Sequence, residues 1–304
     1  MKIGKTCTGQ ESMSLPNLSA LALHSHKALK EDAPNGMYCL DRVEDLADCK
    51  SSIIIVRNAV PFSHEATDEL EKFMTDEDNV KVTITKWGGA LLRRQATFGA
   101  KYDFGQDNST IPYPIESWPA AVQLALEVSK RMAVSVGIDP DLYNGVHANW
   151  YPNGKSGVAP HPDKEKDMVR GLPIFSFTLL SGEKKPRNFD ILRKANAAEI
   201  DSQRTDFERK KESRYLKSVE QYPARKDKAI KEGRDLPPPP TKSTTKFEPE
   251  PILLYSVKLN HGDLLVMQGE MQMYYLHSVP TNSKKEFENA RRINLTVRAF
   301  KETA

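Results

Sequence analysis

After Pro140 the apolar residues of this chain come only in short runs punctuated by Gly, Pro and Asn, and that rhythm constrains the fold more than any other feature. The runs are His147 to Tyr151, Ile174 to Leu180, Phe189 to Leu192, Ile252 to Leu259, Asp263 to Gln268, Met273 to Val279 and Arg292 to Phe300. Each is long enough for a strand and too short for an ordinary helix. Upstream, the β-branched run Ile53 to Val56 reads as a buried strand, and Val80 to Lys86 alternates apolar with polar residues like a half-buried one. Between them Ala66, Leu70, Phe73 and Met74 have helical spacing over Glu65 to Met74, with Ser63 as cap. A second helix is predicted from about Glu116 to Ala133, with Trp118, Val122, Leu126 and Val128 on its apolar side. Two helices followed by about eight strands predict an α+β domain whose second half is a β-sandwich or barrel.

One stretch breaks the pattern. Asn196 to Glu250 carries 13 Lys/Arg and 11 Asp/Glu, few large apolar residues, and the run Pro237 to Pro240. Such a segment suits a solvated helix followed by an extended polyproline linker, and cannot build a core. It reads as an insertion in a hairpin loop, either a spacer or an arm that touches nucleic acid or a partner, and its net charge of +2 gives little electrostatic pull. Residues 1–35 read as a flexible leader. The three cysteines, Cys7, Cys39 and Cys49, are odd in number and fit neither a disulfide framework nor a zinc cluster. No apolar run approaches the roughly 20 residues needed to cross a bilayer. The expectation is therefore a monomer of the nucleus or cytoplasm without a membrane partner. A mitochondrial address is the alternative, because the leader is basic and acid-poor, although it lacks Arg. Net charge over the 304 residues is +3, too balanced to name a partner.

Two His-x-Asp triplets compete for a role in chemistry. His261-Gly262-Asp263 sits between two apolar strands, where it reads as turn chemistry with side chains aimed outward. His161-Pro162-Asp163 is followed by Glu165, and in an extended chain residues 161, 163 and 165 share one side. A non-haem iron site needs two imidazoles and one carboxylate on one face of the metal. His277 is the candidate for the second imidazole, and taken alone it fits a hydrogen-bonded core histidine as well as a ligand. In the last strand Arg292, Asn294, Thr296 and Arg298 alternate with Ile293, Leu295 and Val297. That pattern fits an edge strand with a wet face, or a receptor in which two guanidiniums match a dicarboxylate. Triad and row together point to an oxygenase that consumes 2-oxoglutarate.

These residues, in order, resemble a family signature: Asn149-x-Tyr151, His161-x-Asp163-x-Glu165, Gly262 to Met267, Gln272, His277-Ser278-Val279-Pro280 and Arg292-x-Asn294-x-Thr296-x-Arg298. The resemblance is to the AlkB-type Fe(II)/2-oxoglutarate dioxygenases, the alkylation-repair demethylases of DNA and RNA. It spans roughly Ile53 to Lys301 without the charged insertion. The stretch Arg93-Arg94-Gln95-Ala96-Thr97-Phe98-Gly99 is similar to the nucleotide-recognition lid of the DNA-repair members, with Phe98 where many of them have Tyr. The resemblance implies a double-stranded β-helix, or jelly roll, with helices packed outside it, over residues 36–301 interrupted by 196–250. It also implies Fe(II) on His161, Asp163 and His277, with 2-oxoglutarate and O2 as co-substrates. Arg292, helped by Tyr151, would then take the distal carboxylate of 2-oxoglutarate, and Arg298, Asn294 and Asn149 its chelating end, with Thr296 on the same face.

The activity so implied is oxidative demethylation of N-alkylated bases, DNA favoured over RNA. A base inside a duplex must be flipped out to react. Trp87, Phe98, Tyr102 and Phe104 are candidates for stacking, and Lys86, Arg93, Arg94, Lys284 and Lys285 for phosphate contact. Glu165 is placed to accept from the exocyclic amine or cationic edge of the base. Each of these also reads as lid core or solvated surface. The alternatives are a protein or lipid oxygenase on the same scaffold, or a nucleic-acid-binding module that has lost catalysis.

Overall fold

The structure, a computed structural model, describes residues 23–24, 35–39, 51–84, 89–99, 109–111, 114–163, 165–182 and 184–301. Of Glu165 and of residues 23–24, 37–39 and 109–110 it describes the backbone alone. The chain divides into two compact units, Met1–Ile191 with Leu254–Ala304, and Leu192–Leu253.

The first unit begins with the strands β1 (Leu23–His24), β2 (Gly36–Cys39) and β3 (Ser51–Val56), followed by helix α1 (His64–Thr75). Ser63 caps α1 by accepting from the Ala66 amide at 3.1 Å. Strands β4 (Arg94–Gly99) and β5 (Ser109–Ile111) lead to helix α2 (Ala120–Ser135). Eight strands then follow: β6 (Gly145–Tyr151), β7 (Val158–His161), β8 (Ile174–Gly182), β9 (Arg187–Arg193), β10 (Ile252–Leu259), β11 (Leu264–Gly269), β12 (Tyr275–Val279) and β13 (Ala290–Arg298). The larger sheet runs β1-β2-β3-β11-β8-β13-β6-β4-β5 and the smaller β10-β9-β12-β7. From β6 to β13 the chain crosses repeatedly between the two sheets and each sheet interleaves early with late strands, which is the winding of a jelly roll.

Strand periodicity sorts the core into two layers. Ile54 and Val56 of β3, Leu264 and Val266 of β11, and Ile293, Leu295 and Val297 of β13 pack with Leu70 and Met74 of α1 and Val122 and Leu126 of α2. Their alternates, Ile53, Ile55, Leu265 and Met267, pack with Phe189, Ile191, Val257 and Leu259 of the smaller sheet. One face of the larger sheet thus meets helices and the other meets the second sheet. Helices outside a jelly roll follow directly.

Several predicted elements differ. Val80 to Thr83 form no strand; the segment has one isolated bridge, Ile84 to Ala90, and single hydrogen bonds from the Leu91 amide to the Thr83 carbonyl and from Arg94 to the Val80 carbonyl, with Thr85 and Lys86 outside the described residues. Met273 lies in a one-turn helix, α4 (Met271–Tyr274), so the face shared with Tyr275, His277 and Val279 begins only at Tyr275. The 161–163–165 alternation also stops early, because β7 ends at His161 and Glu165–Asp167 form a 3-10 turn. Most of the leader, with Cys7 and Cys49, lies outside the described residues.

The triplet at 261–263 points inward rather than outward. His261 Nδ1 accepts from the Leu180 amide at 3.0 Å, and its Nε2 donates to the Phe62 carbonyl at 2.9 Å. Asp263 is buried and accepts from Arg57 Nη1 at 2.5 Å, the Asn58 amide at 3.0 Å and the Asn260 amide at 2.8 Å. Gly262 has φ +80°, and a Cβ there would sit 2.6 Å from the Val60 carbonyl oxygen. The turn is a polar clamp between the β3 and β11 ends. Its outward reading failed because turn residues here must satisfy a buried backbone.

The second unit is built on α3 (Ala197–Lys231), opened by a capping box between Asn196 and Glu199 and continued through Pro223. The chain returns along it in extended form. Gln203 exchanges two hydrogen bonds with the Glu250 backbone, Lys242 pairs with Glu212 at 2.8 Å, and Phe207 meets Phe247 at 5.7 Å between ring centroids.

Two predictions follow from this packing. No residue of 196–250 enters either hydrophobic core cluster, so replacing that segment by a short Gly-containing turn should leave a soluble protein with one cooperative melting transition. A shift of its midpoint by more than about 4 °C, roughly 1 kcal/mol or more at this size, would show that the segment stabilises the jelly roll. Asp263→Ala should cost about 3 kcal/mol in denaturant unfolding, because it removes the carboxylate from the Arg57 guanidinium and the acceptor from two amides, while iron binding stays unchanged. Loss of iron with stability intact would reverse the reading.

Candidate active site

Strand register builds the site. In antiparallel pairs, opposed residues share a face, and β13 sets Arg292 opposite Tyr151, Asn294 opposite Asn149 and Thr296 opposite His147 of β6. On its other side β8 places Thr178 opposite Asn294 and Ser176 opposite Thr296. Beyond β6, β4 adds Gln95 opposite Asn149 and Thr97 opposite His147. The inner face that is aliphatic at β3 and β11 therefore becomes polar at β8, β13, β6 and β4. Of the two readings of the last strand, the exposed edge falls: β13 is interior, and Arg292 and Arg298 are both buried.

The smaller sheet contributes the facing wall. β12 pairs with β7 so that His277 lies opposite His161, and Asp163 follows two residues after the end of β7. One ligand atom from each of His161, Asp163 and His277 lies within 4.8 Å of the others. His161 Nδ1 is 2.8 Å from the Ala159 carbonyl, which can only accept, so Nδ1 is the donor and Nε2 is the nitrogen turned to a metal. His277 Nε2 lies 3.7 Å from Asp163 Oδ1. Burial, outweighing the nearby Asp163 carboxylate, pushes the His277 imidazole down to about 4, so it is neutral near pH 7.

Asp163 is held from three directions. Burial alone would raise its carboxyl, but the Arg298 guanidinium first, and His277 and His161 after it, hold it down at about 2. Arg298 donates to Asp163 Oδ2 through Nη2 at 2.7 Å and Nε at 3.1 Å. The Asp163 amide donates to Gln272 Oε1 at 2.8 Å. The carboxylate is thus ionised and fixed, with Oδ2 on the guanidinium and Oδ1 toward His277.

These residues suit the metal and co-substrate that their chemistry suggests. Two imidazoles and one carboxylate on one side are a donor set for Fe(II). Arg292 is buried, donates to Thr178 Oγ1 at 3.1 Å and lies 5.3 Å from the centre of the Tyr151 ring. Its Nε and Nη1 meet no acceptor among the described residues. A buried guanidinium with two unused donors is strongly unfavourable unless an anion completes it, and a carboxylate fits. Asn294 is engaged by the protein itself. Its amide donates to Ser176 Oγ and the Phe177 carbonyl, both at 2.9 Å, and its Oδ1 accepts from Thr296 at 2.9 Å. It therefore orients the Thr296 hydroxyl more than it offers free donors. Asn149, Tyr151 and Thr296 line the same cavity as the triad.

The expected substrate contacts divide. Arg93 lines the cavity and reaches the Gly157 carbonyl at 3.4 Å. Arg94 and Phe98 do not belong there. Strand alternation turns both away from the cavity, so Arg94 bonds Glu77 at 3.2 Å and the Val80 carbonyl at 3.1 Å, while Phe98 is fully buried against Phe73 and Trp118. Phe98 is core and not a stacking group. Lys284 and Lys285 are exposed in the loop after β12 and do not line the cavity. Lys86, Trp87, Tyr102, Phe104 and the Glu165 side chain lie outside the described residues.

Sequence reasoning missed Gln95, His147, Ser176 and Phe189 of the cavity wall. His147 Nδ1 lies 3.2 Å from Thr97 Oγ1, and burial, with Arg298 and Arg93 nearby, keeps its imidazole neutral. Phe189 stacks on His277 at 5.5 Å between ring centroids. His147 was visible as the residue two before Asn149 on the same strand face. Phe189 gave no such signal.

The sequence model of the 2OG-Fe(II) oxygenase superfamily matches residues 59–298. No curated protein matches the chain significantly. Among solved structures the chain is similar to "The structure of OsALKBH1", with a TM-score of 0.41 and 15% identity over 81% of this chain and 96% of that one. No helix among the described residues is long and apolar enough to cross a membrane. The superfamily match takes in every strand from β4 to β13 and all three members of the His-Asp-His cluster. The chain therefore belongs to the 2OG-Fe(II) oxygenase superfamily and is a dioxygenase that works with Fe(II), 2-oxoglutarate and O2.

Proposed function

We propose that this dioxygenase demethylates N-alkylated bases in nucleic acid, DNA ahead of RNA, and so repairs alkylation damage. The observation that carries the reading is β4. The stretch whose sequence resembles a nucleotide-recognition lid borders the cavity, and Gln95 of β4 and Arg93 just before it line that cavity together with the His-Asp-His cluster. A guanidinium suits a phosphate, and an amide that both donates and accepts suits the edge of a base. The AlkB-like order of motifs from Asn149 to Arg298 supports the same class.

In this reading His161, Asp163 and His277 hold Fe(II), which with 2-oxoglutarate and O2 supplies oxidation of a C–H bond on the N-alkyl group. Arg292 takes the distal carboxylate of 2-oxoglutarate through its two unused donors, beside Tyr151. Arg298 keeps Asp163 ionised and oriented, and with Asn149 faces the chelating end. Asn294 fixes the Thr296 hydroxyl on that face. Glu165, just past the metal-binding Asp, accepts from the amine or cationic edge of the base. Lys284 and Lys285 meet the phosphates outside the cavity.

The direct test loads the protein with Fe(II) and 2-oxoglutarate without oxygen, then admits air with methylated DNA and RNA oligonucleotides and follows products by mass. Demethylation in step with succinate is expected, fastest on methylated DNA, and absent in Asp163→Ala together with its iron. Turnover of protein or lipid but of no oligonucleotide would overturn the reading. Arg292→Lys keeps the charge and loses the forked donors, so 2-oxoglutarate should bind about 1.5 to 3 kcal/mol more weakly by titration. Unchanged affinity would remove Arg292 from the co-substrate site. Glu165→Ala should retain iron and 2-oxoglutarate and lose most activity on 1-methyladenine and 3-methylcytosine. Full activity there would discard the proposed base contact.

A further inference from the structure

The segment Leu192–Leu253 is nearly neutral as a whole, but its charges are sorted along its length. From Arg209 to Lys246 it carries twelve Lys and Arg against five Asp and Glu, a net of +7. The remainder of 196–250 carries one Arg against six Asp and Glu, a net of −5. Opposite charges that alternate cancel within a Debye length of about 8 Å, whereas segregated blocks do not. The blocks meet at Glu208 and Arg209, but at 1.5 Å per residue the basic part of α3 from Arg209 to Lys231 runs about 33 Å, so most of it lies beyond a Debye length of the acidic first turns.

Two features of the basic block add shape to charge. With 100° per residue, Lys210, Arg214, Lys217, Lys228 and Lys231 fall within one arc of roughly 100° on α3. Glu212, Glu220 and Asp227 lie outside that arc. Arg214, Lys217 and Lys231 are exposed, with no carboxylate partner among the described residues, while Lys210 pairs with Asp206 at 2.6 Å and Lys228 lies 3.9 Å from Glu232. Beside the arc, α3 and the returning chain enclose a groove. Lys210, Lys211 and Arg214 line one side of it, and the hydroxyls of Thr241, Ser243 and Thr245 the other. Cations facing hydroxyl donors suit phosphate oxygens.

We propose that the basic half of this arm binds the sugar-phosphate backbone of nucleic acid outside the catalytic cavity, as a second contact to the same polymer. This rests on the nucleic-acid reading of the active site and adds a place where the polymer is held. A membrane surface fits less well. The exposed apolar residues of α3 in this block, Leu216, Val219 and Ile230, are few, and Glu212, Glu220 and Asp227 lie on or beside their stripe.

The test uses the full-length protein carrying Arg214→Glu, Lys217→Glu and Lys231→Glu together. Glu matches Lys and Arg in helix propensity, so α3 persists, which circular dichroism checks. Binding is measured by fluorescence anisotropy on an unmethylated oligonucleotide of roughly 30 nucleotides, across salt concentrations. The expected result is affinity lower by about tenfold or more at 0.1 M salt, with a shallower salt dependence. Arg214→Lys with Lys217→Arg and Lys231→Arg should bind like wild type. Equal affinity of wild type and the Glu variant overturns the proposal. So does a Glu variant that loses only self-association, or only binding to phosphatidylserine vesicles, and keeps the oligonucleotide.

The two readings fail separately. Turnover of a methylated trinucleotide, which has too few phosphates to engage the catalytic cavity and the basic block at once, should be the same in wild type and the Glu variant. Arm-dependent binding without demethylation of any oligonucleotide would leave the arm standing and sink the demethylase reading. Demethylation with arm-independent binding would do the reverse.

Discussion

The buried ion pair between Arg298 and Asp163 is the contact on which the site depends. It joins the last strand of the larger sheet to the segment leaving β7 in the smaller one, with both side chains almost fully buried. Removing two charges from water costs several kcal/mol per ion, which close geometry in a dry interior only about offsets. The pair is therefore poorly explained as a source of stability. What it does is fix one carboxylate: Oδ2 is taken by the guanidinium, the amide of Asp163 is held by Gln272, and Oδ1 is left facing His277. A carboxylate held this way is ionised and oriented before any ligand arrives.

That pair is possible because a jelly roll encloses a polar patch in an apolar layer. Between the sheets, Ile53, Ile55, Leu265 and Met267 meet Phe189, Ile191, Val257 and Leu259 in continuous apolar contact. A few strands across, the same face of the larger sheet carries Arg292, Asn294, Thr296 and Arg298, and the cavity opens. A shift of β13 by one residue would put Ile293, Leu295 and Val297 into the cavity and two guanidiniums against α1 and α2. Chemistry and core thus select the same register, the one from two sides of the strand. The helices on the outer face hold the inner face in place.

Where one periodicity decided the outcome, the sequence was legible. The alternation of β13 announced both faces, and the helical spacing of Leu70, Phe73 and Met74 announced α1. Parity misled at β4, where a motif resemblance put Arg94 and Phe98 at the substrate although they share the face opposite Gln95 and Thr97. The short β7 was invisible because Val158-Ala159-Pro160-His161 has no alternation, and its pairing with β12 is what makes it a strand. Val80 to Thr83 had the alternation without a partner ladder. Net charge hid the organisation of the arm, since a sum cannot tell mixed charges from sorted ones.

The charges of the cavity explain why iron and 2-oxoglutarate belong together in this protein. Arg292 and Arg298 bring two positive charges, Asp163 one negative, and His277 and His147 are kept neutral by burial. With Arg93 also in the cavity wall, the site is net positive in a low-dielectric setting, where each further unbalanced charge is costly. A divalent cation alone would raise that charge, and a dicarboxylate would offset it. Bound together their charges cancel, and the cavity keeps the balance that the fold already tolerates. Arg292, with two donors unmet among the described residues, would gain acceptors from a dicarboxylate bound in the same event. In that arrangement each ligand would offset the charge of the other, and the protein supplies the remaining polar half.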